Sequence, residues 1–249
     1  MLVEIAQIDI KQRDKGSNMD KIMDIINNSR GDLVLFPELF TTGFAHEECH
    51  ELAESLEDSE TVNQISDIAE DKLIAGSIIE VDNYRLYNTF LLIDDTGIIG
   101  KYRKIHLFDK ERDIFTPGKD ICVVNTEHGR MGLAVCYDLR FPELFREFMK
   151  NNAEIILLCA NFPSIRKSHW DILLKARAIE NQFFIIGCNR VGRDDYNEYS
   201  GRSMVIDPWG RTLTIGEDSE TILHCNVDYK RVSEIRKSFP VLEHVRLLE

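Results

Sequence analysis

A cysteine at the junction of two predicted elements is the first candidate for chemistry. Cys136 follows the short apolar run Met131 to Val135, which we predict to be a buried strand, and precedes an amphipathic helix that begins at Phe141. A side chain on such a sharp turn is exposed, and the first N–H groups of the helix lie near any oxyanion that it creates. Cys136 is therefore a candidate nucleophile, and a small core residue at a strand end is the alternative.

Three charged residues elsewhere have the types that could assist a nucleophile. Glu38 comes soon after the apolar residues Leu33 to Phe36, at the carboxyl end of a strand, where α/β proteins build their sites. Lys104 lies in a basic stretch, residues 101–106, of an otherwise acidic chain, and Glu111 follows in a polar loop. Each residue also has an ordinary explanation when it is considered alone. Glu38 could be a surface acid, Lys104 could belong to a solvated edge strand, and Glu111 could be an acid in a loop.

Composition narrows the classes of function. The formal net charge is −13 and the pI is about 5.0, which argues against a broad nucleic-acid surface because phosphate binding needs clustered Lys and Arg. The apolar N-terminal stretch is too short for an export signal, and no run approaches the ~18 apolar residues of a membrane span. We therefore expect a cytoplasmic protein with neither nucleic acid nor membrane as a partner.

The cysteines and histidines give little sign of a metal site. The six cysteines contain no C-x-x-C pair, so without an export signal we expect free thiols rather than disulfides or a zinc site. The local cluster of potential ligands is formed by His46, Glu47, Cys49 and His50. We interpret this cluster as part of a solvated helical face.

Strands and helices alternate along the chain. We predict strands at 2–8, 33–36, 73–79, 87–93, 98–101, 121–125, 131–135, 155–159, 184–188, 204–206, 212–215 and 221–227. We predict helices at 19–28, 62–69, 141–151, 170–182 and 229–237. Several strands are joined by hairpin turns, which favours two sheets packed face to face with helices outside. A single doubly wound parallel sheet is the alternative.

Four motifs carry a resemblance to a known family. They are F-P-E-L-F-T-T-G-F at 36–44, Y-R-K-I-H-L-F at 102–108, G-L-A-V-C-Y-D-L-R-F-P-E at 132–143 and H-W-D-I-L-L-K-A-R-A-I-E-N-Q at 169–182. With them the chain resembles the nitrilase superfamily of carbon–nitrogen hydrolases, specifically its omega-amidase-like branch, over nearly its whole length. The resemblance implies an α/β fold, a four-layer α-β-β-α sandwich, in a single domain over 1–249. It also implies a homodimer, across which the tail at about 238–249 could reach.

The resemblance also implies roles for the charged residues. Glu38 is the general base, Lys104 the oxyanion-stabilising cation and Cys136 the nucleophile. The family has a second glutamate between the lysine and the cysteine, and Glu111 is our candidate because a T-P-G stretch like the family's follows it. The alternatives for this second glutamate are Asp109 and Glu127.

Amide hydrolysis suits this set of residues on physical grounds. A free thiol is mostly protonated near neutral pH, so an adjacent carboxylate has to take its proton during attack. Lys104 and the Tyr137 backbone N–H could hold the tetrahedral oxyanion. Glu38 would then protonate the departing nitrogen and deprotonate the water that cleaves the thioester. This chemistry requires no metal and no organic cofactor.

The substrate is suggested by the stretch N-F-P-S-I-R-K-S-H-W at 161–170. It resembles that of bacterial omega-amidase relatives acting on 2-oxo-dicarboxylic acid monoamides. The predicted substrate-binding residues are Tyr137, Asn161, Phe162 and Arg166. An anionic substrate needs a cation away from the scissile amide, and Lys167 and Arg190 are alternatives to Arg166. Arg140 either pairs with a supporting carboxylate or contacts substrate.

Three hypotheses for the function follow from the sequence. The favoured one is an omega-amidase that releases ammonia from 2-oxoglutaramate or 2-oxosuccinamate. The second is another amidase of the superfamily, such as one acting on deaminated glutathione, or a nitrile hydrolase. The third is a non-catalytic interaction protein built on the same scaffold. The small-molecule amide is the expected partner in the first two.

Overall fold

Two six-stranded β-sheets lie at the centre of the protein, in a computed structural model that describes residues 1–247. The strands are β1 (Leu2–Gln7), β2 (Leu33–Leu35), β3 (Leu73–Asp82), β4 (Arg85–Asp94), β5 (Gly97–Arg103), β6 (Val123–Thr126), β7 (Gly129–Val135), β8 (Ile155–Ala160), β9 (Phe184–Asn189), β10 (Val191–Arg193), β11 (Glu198–Ser200), β12 (Met204–Ile206), β13 (Thr212–Ile215) and β14 (Thr221–Asn226). The α-helices are α1 (Lys15–Asn28), α2 (Cys49–Leu52), α3 (Glu60–Ala69), α4 (Glu111–Ile114), α5 (Pro142–Lys150), α6 (Lys167–Asn181) and α7 (Arg231–Ser238). Short 3₁₀ helices lie at Leu56–Asp58, Cys136–Arg140, Ser164–Arg166 and Val241–His244.

Each sheet combines three parallel strands with antiparallel neighbours. The first sheet has the order β14-β1-β2-β3-β4-β5, in which β1, β2 and β3 are parallel. The second has the order β13-β12-β9-β8-β7-β6, in which β7, β8 and β9 are parallel. The hairpin β10–β11 pairs outside both sheets. The prediction of two sheets is confirmed. The alternative of one doubly wound sheet is wrong, because the antiparallel strands β3, β4 and β5 belong to one sheet and the hairpin β6–β7 belongs to the other.

The inner faces of the two sheets share one apolar core. Ile5 and Phe90 of the first sheet belong to the same buried cluster as Leu133 and Leu157 of the second. Because helices also cover the outer faces, the central strands are buried on both sides, and their residues are expected to be mainly apolar. Strand β8, which reads I-I-L-L-C-A, is accordingly buried at every position.

Helices cover the outer face of each sheet, which completes the predicted α-β-β-α sandwich. On the first sheet, α1 and α3 place Ile22 and Ile65 in a cluster with Val34 of β2. On the second, Phe148 of α5 packs on Gly132 of β7. A Cβ added at Gly132 would lie 3.0 Å from the Phe148 ring, so the glycine allows the close approach of the helix.

The strands and helices predicted from the sequence are all present, with bounds that differ by a few residues. Helix α1 begins at Lys15 rather than at 19 because the Asp14 side chain caps it by accepting from the Ser17 N–H. The sequence patterns missed α4 and the hairpin β10–β11, and they indicated α2 only as part of a helical stretch around residues 46–50. These elements are too short to show a hydrophobic period.

The C-terminal tail folds back onto the body of the protein. Gln182 donates a side-chain hydrogen bond of 2.8 Å to the Phe239 carbonyl, and the Phe239 ring stacks on Trp209. Positions 248 and 249 of the predicted tail lie outside the described residues, and the single domain over 1–249 stays a prediction. Within residues 1–247, no helix combines the length and the apolar composition needed to cross a membrane.

Candidate active site

Strand ends bring the predicted catalytic residues to one place. Glu38 comes shortly after β2, Lys104 directly follows β5 and Cys136 directly follows β7. Strands β2 and β5 point the same way because β2 is parallel to β3, and β4 runs antiparallel to both β3 and β5. Their carboxyl ends therefore open on the same edge of the first sheet, as expected for a site in an α/β protein.

Lys104 lies between two buried carboxylates. Its Nζ donates to Glu38 Oε1 at 2.8 Å and to both carboxylate oxygens of Glu111, at 2.9 and 2.8 Å. The Lys104 side chain is 1% exposed, against 0% for Glu38 and 4% for Glu111. Burial by itself lowers the pKa of Lys104, but the charges of Glu111 and Glu38 outweigh it and raise the pKa well above its ordinary value. The ammonium is therefore charged at neutral pH.

Glu111 lies on the one-turn helix α4 rather than in the predicted loop. The turn directs its carboxylate inward, where Oε2 also accepts the Phe108 N–H at 2.8 Å. Burial raises the pKa of Glu111, the Lys104 ammonium lowers it, and the nearby Glu38 carboxylate raises it again, with a net increase. Because a buried carboxylate is costly unless paired, Glu111 and Lys104 depend on each other.

Asn88 forms hydrogen bonds to both carboxylates and was not predicted from the sequence as a site residue. Its Nδ2 donates to Glu38 Oε1 at 2.8 Å and to Glu111 Oε1 at 3.3 Å. Asn88 lies inside β4, where an uncharged amide in the run L-Y-N-T-F-L-L-I is the one available signal. A buried polar side chain needs hydrogen-bond partners, and here the partners are the two glutamates themselves.

The turn that carries Cys136 is fixed by Asp138. Cys136 has a φ of +44°, a conformation that non-glycine residues adopt at a cost and that clusters at functional sites. The Asp138 carboxylate accepts hydrogen bonds from the Val135 N–H at 2.9 Å, the Tyr102 hydroxyl at 2.8 Å and the His106 N–H at 3.1 Å. These bonds join β5 to β7 and hold the strained turn in place.

The Cys136 thiol keeps its proton in the resting protein. Burial raises its pKa well above 9.0, the Glu38 and Glu111 carboxylates raise it further, and the Lys104 ammonium opposes them. Cys159 on β8 is likewise influenced by Glu38, but it is fully buried and does not line the pocket described next. Of these two thiols, Cys136 is thus the one that has the Glu38 carboxylate nearby and also lines the pocket, where a ligand can reach it.

A pocket of about 120 Å³ opens above these groups. Its lining combines Lys104, Glu111 and Cys136 at the bottom with three further cations, Lys110, Arg140 and Arg166, and with aromatic rings. The aromatic and histidine residues of the lining are Phe44, His46, Phe108, Tyr137, Phe162, Tyr196 and Tyr199. The guanidinium of Arg166 lies 5.0 Å from the Phe108 ring centroid, and that of Arg140 lies 5.3 Å from the Phe162 centroid. Stacking of this kind leaves the N–H groups available to a ligand.

All four predicted substrate-binding residues line the pocket, namely Tyr137, Asn161, Phe162 and Arg166. Asn161 also has a second task, because its backbone N–H donates to Glu38 Oε2 at 2.9 Å and its side chain donates to the Glu38 carbonyl at 3.0 Å. Glu38 is therefore held from both sheets. Whether these residues bind substrate stays a prediction.

The two alternative cations do not reach the pocket. Lys167 is exposed and lies outside the lining. Arg190 is fully buried and donates to Asp9 Oδ1 at 2.7 Å, with Asp194 Oδ2 at 3.5 Å. Arg140 contacts His169 Nδ1 at 3.2 Å, and within residues 1–247 it has no carboxylate within ion-pair distance. Arg140 and Arg166, together with Lys110, are therefore the pocket cations that a substrate carboxylate would meet.

The predicted solvated face at residues 46–50 is wrong for two of its members. Cys49 is buried against the protein body, and His46 lines the pocket, where its ring contacts that of Tyr196 at a tilt of 31° with 4.6 Å between ring centroids. Burial lowers the pKa of His46, and the neighbouring Lys110 lowers it further. Within residues 1–247, no group of three or more His, Cys, Asp or Glu side chains is arranged to hold a metal ion.

A family profile and two relatives match the chain. A sequence profile described as carbon-nitrogen hydrolase matches residues 2–237. The chain is 34% identical to a 2-oxoglutaramate amidase of Bacillus subtilis over 98% of this chain and 97% of the relative. It is 38% identical to a deaminated glutathione amidase of Dictyostelium discoideum, over 68% of this chain and 63% of the relative.

A solved structure shows the same fold. It is the crystal structure of a CN-hydrolase superfamily protein from Xanthomonas campestris, which has an arsenic adduct in its active site. The TM-score is 0.90 with 28% identity, and the match covers 100% of this chain and 98% of the other.

Proposed function

Because the chain belongs to the carbon–nitrogen hydrolase family, we propose that it is an omega-amidase. It hydrolyses the terminal amide of 2-oxo-dicarboxylic acid monoamides, such as 2-oxoglutaramate and 2-oxosuccinamate, to the oxo acid and ammonia. The observation that carries this proposal is the buried ammonium of Lys104 between Glu38 and Glu111, next to a protonated thiol at the bottom of a cation-rimmed pocket.

Attack on the amide begins with the thiol. Cys136 Sγ adds to the carbonyl carbon of the amide while Glu38 takes the thiol proton, so the nucleophile becomes a thiolate only as it reacts. The carbonyl oxygen becomes an oxyanion, for which Lys104 and the Tyr137 N–H supply positive charge and a hydrogen bond. The opposing pKa effects of Lys104 and Cys136 on each other support this proximity.

Loss of ammonia follows from the proton that Glu38 now holds. Glu38 donates it to the amide nitrogen, the carbon–nitrogen bond breaks, and the product of this step is a thioester on Cys136. Glu38 then deprotonates a water molecule, which adds to the thioester carbonyl. Collapse of this second intermediate releases the oxo acid, and the proton returns to Sγ. Glu111 keeps Lys104 charged and oriented throughout.

The pocket supports a small anionic substrate. Its volume of about 120 Å³ is close to that of the ~150 Å³ cavity known to hold a benzene molecule, so a short linear amide fits the enclosed part. The carboxylate at the other end of 2-oxoglutaramate would meet Arg166 or Arg140, and guanidinium groups bind carboxylates in a bidentate manner. We propose Tyr137, Asn161, Phe162 and Arg166 as the substrate-binding residues.

A deaminated glutathione amidase is the second candidate, favoured by the 38% identity to the relative of that name. Deaminated glutathione carries the two residues Cys-Gly on the amide nitrogen of the oxo-acid amide and would have to extend beyond the enclosed volume. A substrate panel separates the two functions.

We also propose that the enzyme acts in the cytoplasm as a homodimer, with a small-molecule amide rather than nucleic acid or membrane as its partner. The charge of −13 supports the absence of a nucleic-acid surface. Ile172 and Ile179 of α6 have exposed side chains, as do Trp209 and Phe239, whose rings stack on each other, and large exposed apolar residues are typical of an interface. Sedimentation velocity measures the oligomeric state directly.

The test of the function is hydrolysis of a panel of five compounds, measured by ammonia release and, for deaminated glutathione, by release of cysteinylglycine. It contains 2-oxoglutaramate, 2-oxosuccinamate, glutamine, deaminated glutathione and a simple nitrile, each with wild type and Cys136→Ala. Turnover confined to the two oxo-acid amides, and lost in the variant, is the expected result. Turnover of deaminated glutathione or the nitrile alone would replace the proposed substrate, and turnover of none by folded wild type would favour the non-catalytic scaffold.

A further inference from the structure

A buried ion pair lies behind one wall of the pocket and takes no part in the proposed chemistry. Arg190 follows β9 and is fully buried. Its Nη2 donates to Asp9 Oδ1 at 2.7 Å and to the Ile10 carbonyl at 2.8 Å, and its Nη1 lies 3.5 Å from Asp194 Oδ2. The guanidinium therefore ties the segment after β1 to the segment after β10.

Asp194 in turn fixes the residues that follow it. Its Oδ1 accepts the backbone N–H groups of Tyr196 and Asn197, both at 2.9 Å, and its Oδ2 accepts the Tyr199 hydroxyl at 2.7 Å. Tyr196, Asn197 and Tyr199 line the pocket, whereas Asp194 and Arg190 do not. One buried carboxylate thus sets both the backbone and an aromatic side chain of a pocket wall, which we call the 196–199 wall.

Gly192 shows that this arrangement is built into the chain. It has a φ of +85°, and a Cβ added there would overlap the Asp9 carboxylate. Glycine is therefore required for two reasons. The backbone is left-handed here, and a side chain would occupy the space that Asp9 needs to reach Arg190. The glycine is not part of the pocket lining, so its constraint acts through the ion pair.

The 196–199 wall also closes the mouth of the pocket. The Tyr196 ring contacts the His46 ring, and Lys110 Nζ lies 5.3 Å from the Tyr196 ring centroid. His46 belongs to the segment after β2, and Lys110 to the segment after β5. The position of Tyr196 therefore decides how far the mouth opens and how long a substrate fits inside it.

We propose that Arg190 and Asp194 are positioning residues that set substrate selectivity by holding the 196–199 wall in place. The inference rests on the proposed amidase function at this pocket. Neither residue touches the reacting atoms. Through the 196–199 wall, Arg190 and Asp194 affect the part of the substrate beyond the scissile amide. We therefore expect them to change substrate binding rather than the rate of bond cleavage.

The test compares Asp194→Asn with wild type on 2-oxoglutaramate. The amide keeps the size of the side chain but removes the charge that pairs with Arg190. We expect KM to rise about tenfold or more while kcat stays within about twofold, because binding common to ground and transition states is lost. The rate at which iodoacetamide alkylates Cys136, followed by mass spectrometry, should equal that of wild type because the bottom of the pocket is intact.

Asp195→Asn is the matched control, since Asp195 is the next residue, its side chain is 57% exposed, and it pairs with Arg13 rather than with Arg190. It should leave KM unchanged. Gly192→Ala is the second variant, which disturbs the same ion pair from the other side and should raise KM in the same direction. If Asp194→Asn does not fold, the KM of Gly192→Ala tests the inference instead.

Three results would overturn the inference. An unchanged KM in folded Asp194→Asn and Gly192→Ala would show that the ion pair does not control the wall. A parallel fall in kcat and in Cys136 alkylation would make the pair a general structural feature. Absence of wild-type turnover of 2-oxoglutaramate would remove the proposed function and this inference with it, and is distinguished from the first two by the wild-type assay alone.

Discussion

The bottom of the pocket and its mouth are built in opposite ways. We call Glu38, Lys104, Glu111 and Cys136 the floor, and Lys110, Arg140, Arg166 and Tyr196 the mouth. In the floor, every charged side chain is buried and hydrogen-bonded to another. In the mouth, within residues 1–247, the two arginines have aromatic rings rather than carboxylates as neighbours.

This difference separates two tasks. Buried, mutually paired charges keep one geometry and one protonation pattern, as a proton-transfer cycle needs. Half-exposed cations with available N–H groups can pair with whatever anion enters. The floor therefore suits the chemistry common to the family, and the mouth suits the choice of substrate. The following predictions, in order of decreasing effect, test this division.

The largest effect is expected at the nucleophile. Cys136→Ala should lower kcat by ~10⁴-fold or more, because no thioester can form. The melting temperature should remain close to that of wild type, since the side chain removed is small. Ammonia release and thermal unfolding measure the two quantities. Residual turnover near that of wild type would refute the mechanism.

The next effect is expected at the cation of the floor. Lys104→Ala should lower kcat by ~10²-fold or more, because the oxyanion loses its charge partner. Lys101→Ala is the matched control, on β5 just before Lys104, with a side chain that is 45% exposed, and it should leave kcat unchanged. A rise in KM alone for Lys104→Ala would make the lysine a substrate binder instead.

A smaller effect is expected at the mouth. Arg166→Ala should raise KM for 2-oxoglutaramate ~10-fold or more, since a hydrogen bond to a charged group contributes about 1.5–3 kcal/mol. Lys167→Ala, one residue further on and outside the pocket lining, is the control and should leave KM unchanged. Equal KM values for the two variants would show that Arg166 does not bind the carboxylate.

The smallest effect concerns the pH dependence of stability. Burial and Glu38 raise the pKa of the Cys136 thiol well above 9.0, so above that pH the unfolded chain releases a proton that the folded protein keeps. Stability therefore falls as pH rises. In Cys136→Ala this fall should be shallower by about 1.4 kcal/mol per pH unit.

Urea unfolding under reducing conditions at pH 7, 9 and 10 measures the slope. Cys225→Ala is the control, because that thiol is only partly buried and its pKa is raised less. Identical slopes for wild type and Cys136→Ala would show that the Cys136 thiol ionises as readily in the folded protein as in the unfolded chain.

The sequence predicted the floor better than the walls. Glu38 and Cys136 each follow an apolar strand, so local patterns were enough to locate them at strand ends, whereas Lys104 and Glu111 were assigned through the resemblance to the family. Asn88 escaped prediction because its role depends on Glu38, 50 residues away in the sequence. Residues that act through tertiary contacts leave no local signal.

The walls show the same limit. The hairpin β10–β11 is too short for a strand pattern, so nothing indicated that Tyr196 and Tyr199 reach the pocket. Arg190 was a candidate for substrate binding because of its charge, yet Asp9 pairs with it from 181 residues away. A cation's partner decides its role, and the partner is set by the fold.

The central claim is that the floor performs the chemistry and the mouth selects the substrate. The most direct test measures kcat and KM for 2-oxoglutaramate with Lys104→Ala and Arg166→Ala side by side. We predict that Lys104→Ala lowers kcat with little change in KM, and that Arg166→Ala raises KM with little change in kcat. If both variants change the same constant by the same factor, the division between floor and mouth does not exist.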